Sequence, residues 1–310
     1  MAPTDPESRE GRLGERSPAL ERLSEDPENA QVADRRVLDQ LVTERGEHYV
    51  RNHYPTPDLD GDDWSISLTG AVDGELSMET LREEFPSESV AHTMECSGNG
   101  RAYFDPDAEG HQWEYGAVST AVWSGAPLDA VLDEFGVGDG NGYESFDDDE
   151  RWVSVMGADA PEDEETFCRS VPTAKLRRDS LLAYAMNGRP LPPEHGYPVR
   201  LVVPGWFGNN SVKWVDRLHV GREMVSGDEW EGFTKYHQRA YRLFFDEGEK
   251  EQPTEHADVD TTDTLAMQNA DDVRNAYLFD QLPKALVCRP TGDEPVPADD
   301  PGRVVGVAWA

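Results

Sequence analysis

One cysteine, placed where a predicted strand runs into a glycine-rich turn, constrains this sequence more than any other residue. Residues 90–95 have the character of a short strand, Cys96 follows, and the turn at residues 97–100 ends at Arg101. A thiolate is a soft metal ligand and a strong nucleophile, and glycine lets a bulky group approach the backbone. The arginine would attract an anion. The motif alone fits a reactive or metal-binding thiol and fits equally well a half-buried structural cysteine beside an ordinary turn.

The chain is strongly acidic. Its 310 residues include 63 acidic and 28 basic side chains, for a formal charge of −35, and only five of the basic residues are lysines. Such a charge causes self-repulsion in dilute buffer, whereas at about 1 M salt the Debye length falls to about 3 Å and the surface becomes tolerable. The composition therefore predicts a halophilic source and argues against nucleic acid as a partner.

The cysteines and the apolar runs bear on location. Cysteines at 96, 168 and 288 are too few and too scattered for a disulfide framework or a paired-cysteine zinc site. No apolar run approaches the roughly 20 residues that a membrane span needs, and Arg35 and Arg36 are not followed by the apolar region of a twin-arginine export signal. We predict a cytoplasmic protein without a membrane span.

The pattern along the chain predicts an α+β fold, because short helices and strands interleave without a regular βαβ alternation. Residues 1–36 are charged and resemble a mobile tail or a peripheral wrap, with folded structure beginning near Val37; residues 37–245 would form the main domain, and residues 246–310 a linker and partial domain. The predicted elements are a strand at 64–70, a hairpin turn at Asp73-Gly74, a helix capped by Ser77, a strand at 117–123, helices at 127–136 and 179–186, and strands at 199–203 and 212–220.

Two further segments carry candidate binding residues. Residues 182–214 place His195, Arg200 and Lys213 around glycine turns, a pattern suited to an anionic cofactor that contains phosphate. Taken singly, Arg200 fits a solvated strand face and Lys213 a surface cation. Arg51, Asn52 and His53 are consecutive and precede a stretch that prolines make stiff. By itself this segment is weak evidence for a binding site.

Together these segments resemble the sulfite oxidase family of molybdopterin enzymes, from about Arg51 to Trp309. The matching motifs are Arg-Asn-His-x-Pro at 51–55, a Cys-Ala-Gly-Asn-x-Arg-like loop at 96–101 with Ser97 in place of alanine, Trp113 with the run 116–123, Met-Asn-Gly at 186–188, His-Gly-x-Pro-x-Arg at 195–200, Val-Pro-Gly at 203–205 and Ser-Val-Lys-Trp at 211–214. The resemblance implies a sulfite-oxidase-type domain with mixed β-sheets, followed by the start of an immunoglobulin-like β domain.

The resemblance also implies roles for individual residues. Cys96 would be the thiolate ligand of molybdenum, and Arg51 and Arg101 would form the anion pocket with Trp113 as a wall. The active-site tyrosine would be Tyr241, with Tyr236 as the alternative, although Ala240 replaces the aspartate that usually precedes that tyrosine. Contacts to the pterin and its phosphate would come from Asn52, His53, Asp159, His195, Arg200, Ser211 and Lys213.

The function implied is oxidation of sulfite to sulfate by oxygen-atom transfer with a molybdenum–molybdopterin cofactor. No heme-binding domain is recognisable, so electrons would pass to a separate acceptor or to oxygen. Residues 283–290 and 303–310 look like the first two strands of the family's dimerisation domain, which would leave the sandwich incomplete and homodimer formation open. Two alternatives remain: a molybdopterin-dependent sulfoxide reductase, and a truncated protein that binds cofactor without turnover.

Overall fold

The computed structural model describes residues 18–105, 110–137, 152–162, 164–222, 224–225, 242–243, 276–292 and 302–310. The strands are β1 (Leu20–Glu25), β2 (Glu28–Val32), β3 (Ser65–Gly70), β4 (Gly74–Ser77), β5 (Glu88–Glu95), β6 (Val118–Pro127), β7 (Trp152–Gly157), β8 (Cys168–Pro172), β9 (Leu181–Met186), β10 (Arg189–Pro190), β11 (Arg200–Val202), β12 (Val215–Gly221), β13 (Arg242–Leu243), β14 (Ala276–Tyr277), β15 (Lys284–Arg289) and β16 (Val305–Trp309). The α-helices are α1 (Met78–Glu83), α2 (Leu128–Glu134) and α3 (Thr173–Asp179), and short 3-10 turns lie at Arg35–Asp39, Arg101–Tyr103, Pro193–His195 and Gly208–Asn210.

Two five-stranded sheets form the body of the described structure. One has the order β10-β9-β6-β5, with β11 also paired to β9, and the other has the order β4-β3-β12-β7-β8. The second sheet is mixed, because β12 runs parallel to β3 and antiparallel to β7. Apolar side chains from this sheet, from the three helices and from β11 form the largest core cluster. The α+β prediction with mixed sheets is confirmed.

Local signals in the sequence set several element boundaries. The Ser77 side chain accepts the backbone N–H of Thr80 and caps α1, as the sequence predicts. β3 and β4 pair across the turn that contains Asp73, and α2 follows directly from β6. Gly136 follows α2 with a φ of 69°, a conformation that glycine adopts without a Cβ penalty. These predictions are confirmed.

The start of folded structure was predicted too late. Residues ahead of Val37 already form the hairpin of β1 and β2, and an isolated bridge pairs Ala30 with Val50. Asn29 and Gln31 are buried, and their side-chain oxygens accept the backbone N–H groups of Asn52 and Glu114, respectively. Ala30 and Val32 are buried as well, so four consecutive residues of β2 are buried although only two of them are apolar. A search for apolar patterns does not detect such a strand.

The predicted helix at 179–186 is wrong. Helix α3 ends at Asp179, and residues 181–186 form β9, which pairs with β6, β10 and β11. The run of Leu, Ala and Met favours helix by propensity, but pairing on both edges of a central, largely buried strand overrides it. Asn187 and Gly188 do form the break after it, both with positive φ.

The C-terminal hairpin of β15 and β16 packs on the main body. Lys284, Leu286 and Cys288 alternate with more exposed neighbours, as expected for a half-buried strand. Cys288 packs in a cluster with Val118 and side chains near the 3-10 turn at Arg35–Asp39. The two predicted strands are therefore present; the immunoglobulin-like character of this region stays a prediction. Within the described ranges, no helix has the length and apolar character that crossing a bilayer requires.

Candidate active site

Segments that are far apart in sequence converge on one cavity. It lies where β5 ends, where residues 203–214 connect β11 to β12, and where residues 48–53 cross between the two. Most of the residues predicted from the sequence line it: Arg51, His53, Cys96, Asp159, His195, Arg200, Ser211 and Lys213. The structure thus brings together three motifs that the chain keeps separate.

Cys96 is held at the start of a tight, hydrogen-bonded turn. Its backbone N–H donates to the carbonyl of Ala117 (2.9 Å), and its carbonyl accepts the N–H of Asn99 (2.9 Å). Burial raises the pKa of the Cys96 thiol, while the charge of Arg51 and a backbone hydrogen bond from Gly98 oppose that shift. The thiol is 9% exposed and lines the cavity. A metal ion bound there would deprotonate the thiol.

Arg101 and Trp113 lie behind the turn. The guanidinium of Arg101 donates to the carbonyl of His111 (3.1 Å), and a Cβ on Gly98 would meet Arg101 Nη2 at 2.9 Å. Glycine is therefore required at position 98 if the arginine is to lie across the turn. Trp113 is buried in the cluster that contains Cys96. Neither Arg101 nor Trp113 is among the residues that border the cavity, so Arg51 is the predicted anion-binding residue nearest to it.

Two buried cations face the cavity with neutral partners. Lys213 Nζ donates to the carbonyls of Arg51 (3.0 Å) and Glu194 (2.9 Å) and to Asn52 Oδ1. The Arg200 guanidinium donates to the carbonyls of His195 (3.0 Å) and Ser211 (2.9 Å). Within the described part of the chain, neither forms an ion pair with a carboxylate. Burial lowers the pKa of Arg200 to about 10 and holds that of Lys213 well below its usual value.

The remaining predicted cofactor residues have distinct positions. Asn52 is buried beside the cavity, and its amide donates to Thr56 Oγ1 (3.1 Å). Ser211 Oγ accepts the N–H of Val203 (3.1 Å), which fixes the loop between β11 and β12. His53 is half-buried against Tyr54. Burial raises the pKa of Asp159 to about 6, with the charge of Lys213 opposing the shift.

Further cavity residues were not predicted from the sequence. His48 packs edge-on against His195, with ring centroids 4.9 Å apart, and burial lowers its pKa to about 3. Met94 and Asn209 also border the cavity. Strand alternation gives a signal for Met94, since it lies two residues before Cys96 and must share its face. No comparable local pattern marks His48 or Asn209.

Some predictions lie beyond what the structure describes. Tyr241 and its alternative Tyr236 are outside the described residues, so the active-site tyrosine stays a prediction. Within the described ranges, no cluster of three or more His, Cys, Asp or Glu side chains has the arrangement of a metal site. Cys96 would therefore have to share a metal ion with ligands from a bound group.

Comparison with known proteins identifies the domain. Residues 53–230, more than half of the chain, match the family described as oxidoreductase molybdopterin binding domain. The chain belongs to the sulfite oxidase family of molybdopterin-binding oxidoreductases. The resemblance inferred from the motifs is confirmed, and the motifs at 51–55, 96–101, 195–200 and 211–214 each contribute residues to the cavity.

Individual relatives extend this finding. The chain is 35% identical over 237 residues to mitochondrial sulfite oxidase of Rattus norvegicus, covering 74% of this chain and 41% of the relative. It is 31% identical to sulfite oxidase of Gallus gallus, covering 100% of this chain and 62% of the relative. It is 36% identical over 183 residues to nitrate reductase [NADH] 1 of Nicotiana tabacum, covering 56% of this chain and 20% of the relative. The chain thus spans between a fifth and slightly less than two thirds of the length of these relatives.

A solved structure shares the fold. The sulfane dehydrogenase SoxCD from Paracoccus pantotrophus matches with a TM-score of 0.65 and 26% identity, covering 92% of this chain and 63% of that chain. The match extends well beyond residues 53–230, so the shared fold includes more than the molybdopterin-binding domain.

Proposed function

We propose that this protein oxidises sulfite to sulfate with a molybdenum–molybdopterin cofactor and passes the electrons to a separate acceptor. When bound, the cofactor would supply the oxygen-atom transfer and take up two electrons. Overall, sulfite and water yield sulfate, two protons and two electrons. The observation that carries the proposal is that Cys96, the predicted molybdenum ligand, lies in one cavity with Arg51 and with the buried cations Arg200 and Lys213.

The residues in the cavity fit an anionic, hydrogen-bonding cofactor. Burying Arg200 and Lys213 with only neutral hydrogen-bond acceptors is unfavourable, and a phosphate group would add negative charge beyond the electrostatic attraction of Asp159 for Lys213. His48 Nε2 and Asn209 Oδ1 are buried without a hydrogen-bond partner in the described structure. Both residues line the same cavity. A bound group with hydrogen-bond donors would satisfy both atoms; outside the cavity, His92 Nε2 and Trp123 Nε1 are also without a hydrogen-bond partner in the described structure, so the position of the first two in the cavity is what supports the assignment.

The remaining predicted contacts would orient that group. Asn52, His53, Asp159, His195 and Ser211 lie in or beside the cavity, with Asn52 and Ser211 already fixed by hydrogen bonds to the protein. We assign them to pterin and phosphate recognition. Preorganised side chains of this kind lower the entropic cost of binding.

Arg51 and Arg101 would bind the substrate anion. Arg51 borders the cavity, and the charges of both arginines oppose the rise that burial causes in the pKa of Cys96, so two cationic groups act at the end of β5. In a chain of formal charge −35, this local reversal of sign concentrates small anions where the overall field would repel them. The arginines would hold sulfite and neutralise charge, with Trp113 as a wall of the anion pocket.

Three broader aspects are also proposals. The electron acceptor is separate from the chain described here, the protein forms a homodimer through its C-terminal region, and the protein is cytoplasmic. The location is supported by Cys96, Cys168 and Cys288, which are all buried and free of disulfide bonds.

Replacing Cys96 by serine tests the central claim. We expect Cys96→Ser to abolish sulfite-dependent reduction of an artificial acceptor while circular dichroism and thermal unfolding stay close to those of wild type, because the thiolate ligand is lost and the turn is retained. Cys168→Ala is the matched control, since Cys168 is equally buried but lies outside the cavity. Measurable sulfite oxidation by the Cys96→Ser protein would disprove the assignment.

A second experiment separates sulfite from other substrates. The protein is expressed with ample molybdenum in high salt, its metal and pterin contents are measured, and sulfite, nitrate or a sulfoxide is added anaerobically. Bleaching of the thiolate-to-molybdenum absorption band by sulfite supports the proposal. Stoichiometric cofactor that responds only to nitrate or to a sulfoxide assigns a different substrate, and stoichiometric cofactor without any response indicates a protein that binds cofactor without turnover.

A further inference from the structure

A fully buried carboxylate lies next to Cys96 and faces away from the cavity. Glu95 has no exposed surface, and it belongs to the same strand, β5, that carries Met94. Side chains alternate between the two faces of a strand. Met94 and Cys96 border the cavity, so Glu95 points toward the opposite side, where the C-terminal hairpin packs.

Each oxygen of Glu95 has a defined donor. Lys284 Nζ, on β15, donates to Oε1 at 2.5 Å, and Trp309 Nε1, on β16, donates to Oε2 at 2.8 Å. The amide of Asn99 also donates to Oε1, at 3.0 Å. Hydrogen bonds to an ionised group are about twice as strong as neutral ones. Glu95 therefore joins the hairpin to the turn that follows it.

Asn99 transmits this contact to the cysteine. While its amide nitrogen donates to Glu95, its side-chain oxygen accepts the backbone N–H of Ala117 at 3.1 Å. Ala117 in turn accepts the backbone N–H of Cys96 through its carbonyl. The turn at residues 96–99 is thus fixed on both sides by groups that depend on Glu95.

We propose that Lys284 and Trp309 are positioning residues that fix the Cys96 turn through Glu95. The C-terminal hairpin lies outside the matched family domain at 53–230. Through its hydrogen bonds to Glu95, it would hold the Cys96 turn on the side that faces away from the cavity. Removing Trp309 leaves Oε2 without its donor, and removing Lys284 leaves Oε1 with only the neutral amide of Asn99, so in either case the turn gains freedom. The proposal rests on the role of Cys96 proposed above, but the turn itself can be examined without cofactor.

Hydrogen exchange of the metal-free, full-length protein tests the contact directly. In Lys284→Met and in Trp309→Phe, we expect amides of residues 96–101 to exchange about tenfold faster or more, since each variant loses a hydrogen bond to a charged group. Peptides from β7 serve as an internal reference and peptides from β15 report whether the hairpin itself is released. Lys284→Arg keeps a cationic donor and should restore slow exchange.

Arg289→Met is the matched control. Arg289 lies on the same strand as Lys284 and pairs with Asp39, away from Glu95. Faster exchange of the turn in Lys284→Met and Trp309→Phe, with Arg289→Met and Lys284→Arg close to wild type, supports the proposal. Unchanged exchange of the turn in both donor variants overturns it, as does an equal effect of Arg289→Met, which would assign the change to loosening of the hairpin in general.

The cofactor-loaded protein supplies an independent readout. If the turn positions the thiolate, Lys284→Met and Trp309→Phe should shift the thiolate-to-molybdenum absorption band at unchanged metal content, whereas Arg289→Met should not. An unchanged band in both variants would count against a positioning role. Absence of bound molybdenum in the wild-type protein would instead contradict the proposed function, and the exchange experiment would still decide whether the contact fixes the turn.

Discussion

Two buried lysines, Lys175 and Lys213, differ in the partners that the fold gives them. Lys175 donates to both carboxylate oxygens of Asp179 (2.7 and 2.8 Å) and to the carbonyl of Pro204 (2.7 Å). Lys213 also has three acceptors, but all are neutral: two carbonyls and the side-chain oxygen of Asn52. Burial lowers the pKa of both lysines. The fold gives Lys175 a hydrogen-bonded carboxylate, whereas Lys213 has only neutral hydrogen-bond acceptors and an electrostatic attraction to Asp159, which leaves its ammonium group suited to an anionic ligand.

The same distinction separates other buried polar groups. Glu95 is fully buried and has three donors, so its charge is compensated within the chain. His48 and Asn209 each keep one buried atom without a partner, and both border the cavity. The cavity therefore combines two cations that lack a hydrogen-bonded carboxylate with two unsatisfied acceptor atoms, which fits a bound group that is anionic and also donates hydrogen bonds.

The largest expected effect of this difference is on cofactor retention. Lys213→Met should weaken binding of the cofactor about 30-fold or more, because losing one partner of a buried charge pair costs about 2–5 kcal/mol. The metal-free protein should unfold at nearly the same denaturant concentration as wild type, since relief from burying a cation offsets the lost hydrogen bonds. Molybdenum and pterin content after extensive dialysis measures the effect. Wild-type content in this variant would mean that Lys213 is not a ligand for the phosphate.

The pH dependence of stability should reveal the buried histidines. Burial lowers the pKa of His48 and His92 to about 3 and that of His195 well below 6.5. The unfolded chain therefore binds protons that the folded chain does not, and stability is lost as the pH falls below about 6.5. Asp159 acts in the opposite direction, because its raised pKa of about 6 favours the folded state as the pH falls between about 6 and 4.

The three fully buried histidines dominate this balance: burial also lowers the pKa of His53, His111 and His219, which act in the same direction, and raises that of Asp216, which acts with Asp159. Between pH 7 and pH 5.5 we expect the metal-free protein to lose about 3 kcal/mol of unfolding free energy, measured by urea titration in molar salt to screen the surface carboxylates. His48→Gln should remove about a third of that loss. A protein whose stability is constant or rises over this range would show that the histidines are not buried in their neutral form.

Lys175→Met should have the smallest effect, and it should fall on stability alone. We expect a loss of about 1–2 kcal/mol in the free energy of unfolding, less than for a fully buried pair because the Asp179 side chain is 34% exposed. Cofactor content per folded molecule should equal that of wild type. If Lys175→Met and Lys213→Met lost cofactor to the same extent, the contrast between compensated and uncompensated lysines would fail.

The sequence predicts the residues that line the cavity better than the residues that hold them in position. Cys96, Arg200 and Lys213 fall within short motifs with glycine turns, and such local chemistry is visible in a linear chain. Glu95 gives no comparable signal, because its donors Lys284 and Trp309 are 189 and 214 residues away. Tertiary contacts of this range leave no periodic pattern.

The errors in the fold have the same origin. Residues 181–186 have helix-favouring side chains, and only pairing with β6 and β11 makes them a strand. The hairpin before Val37 attaches partly through Asn29 and Gln31, whose roles depend on partners in other segments, and partly through a backbone bridge between Ala30 and Val50. Elements with their own caps or alternation, such as α1 and β3, were predicted correctly because their signals are local.

The cavity is formed by segments that are far apart in the sequence, and this separation has a consequence for biosynthesis. Lys213 joins Arg51 and Asn52 across 162 and 161 residues. A nascent chain that contains Arg51 and Asn52 therefore lacks their partner in the cavity until translation has passed Lys213. Closing so long a loop is slow compared with local folding. Enclosure of the cofactor must consequently be a late event, which follows emergence of β12 from the ribosome rather than accompanying formation of the cysteine loop.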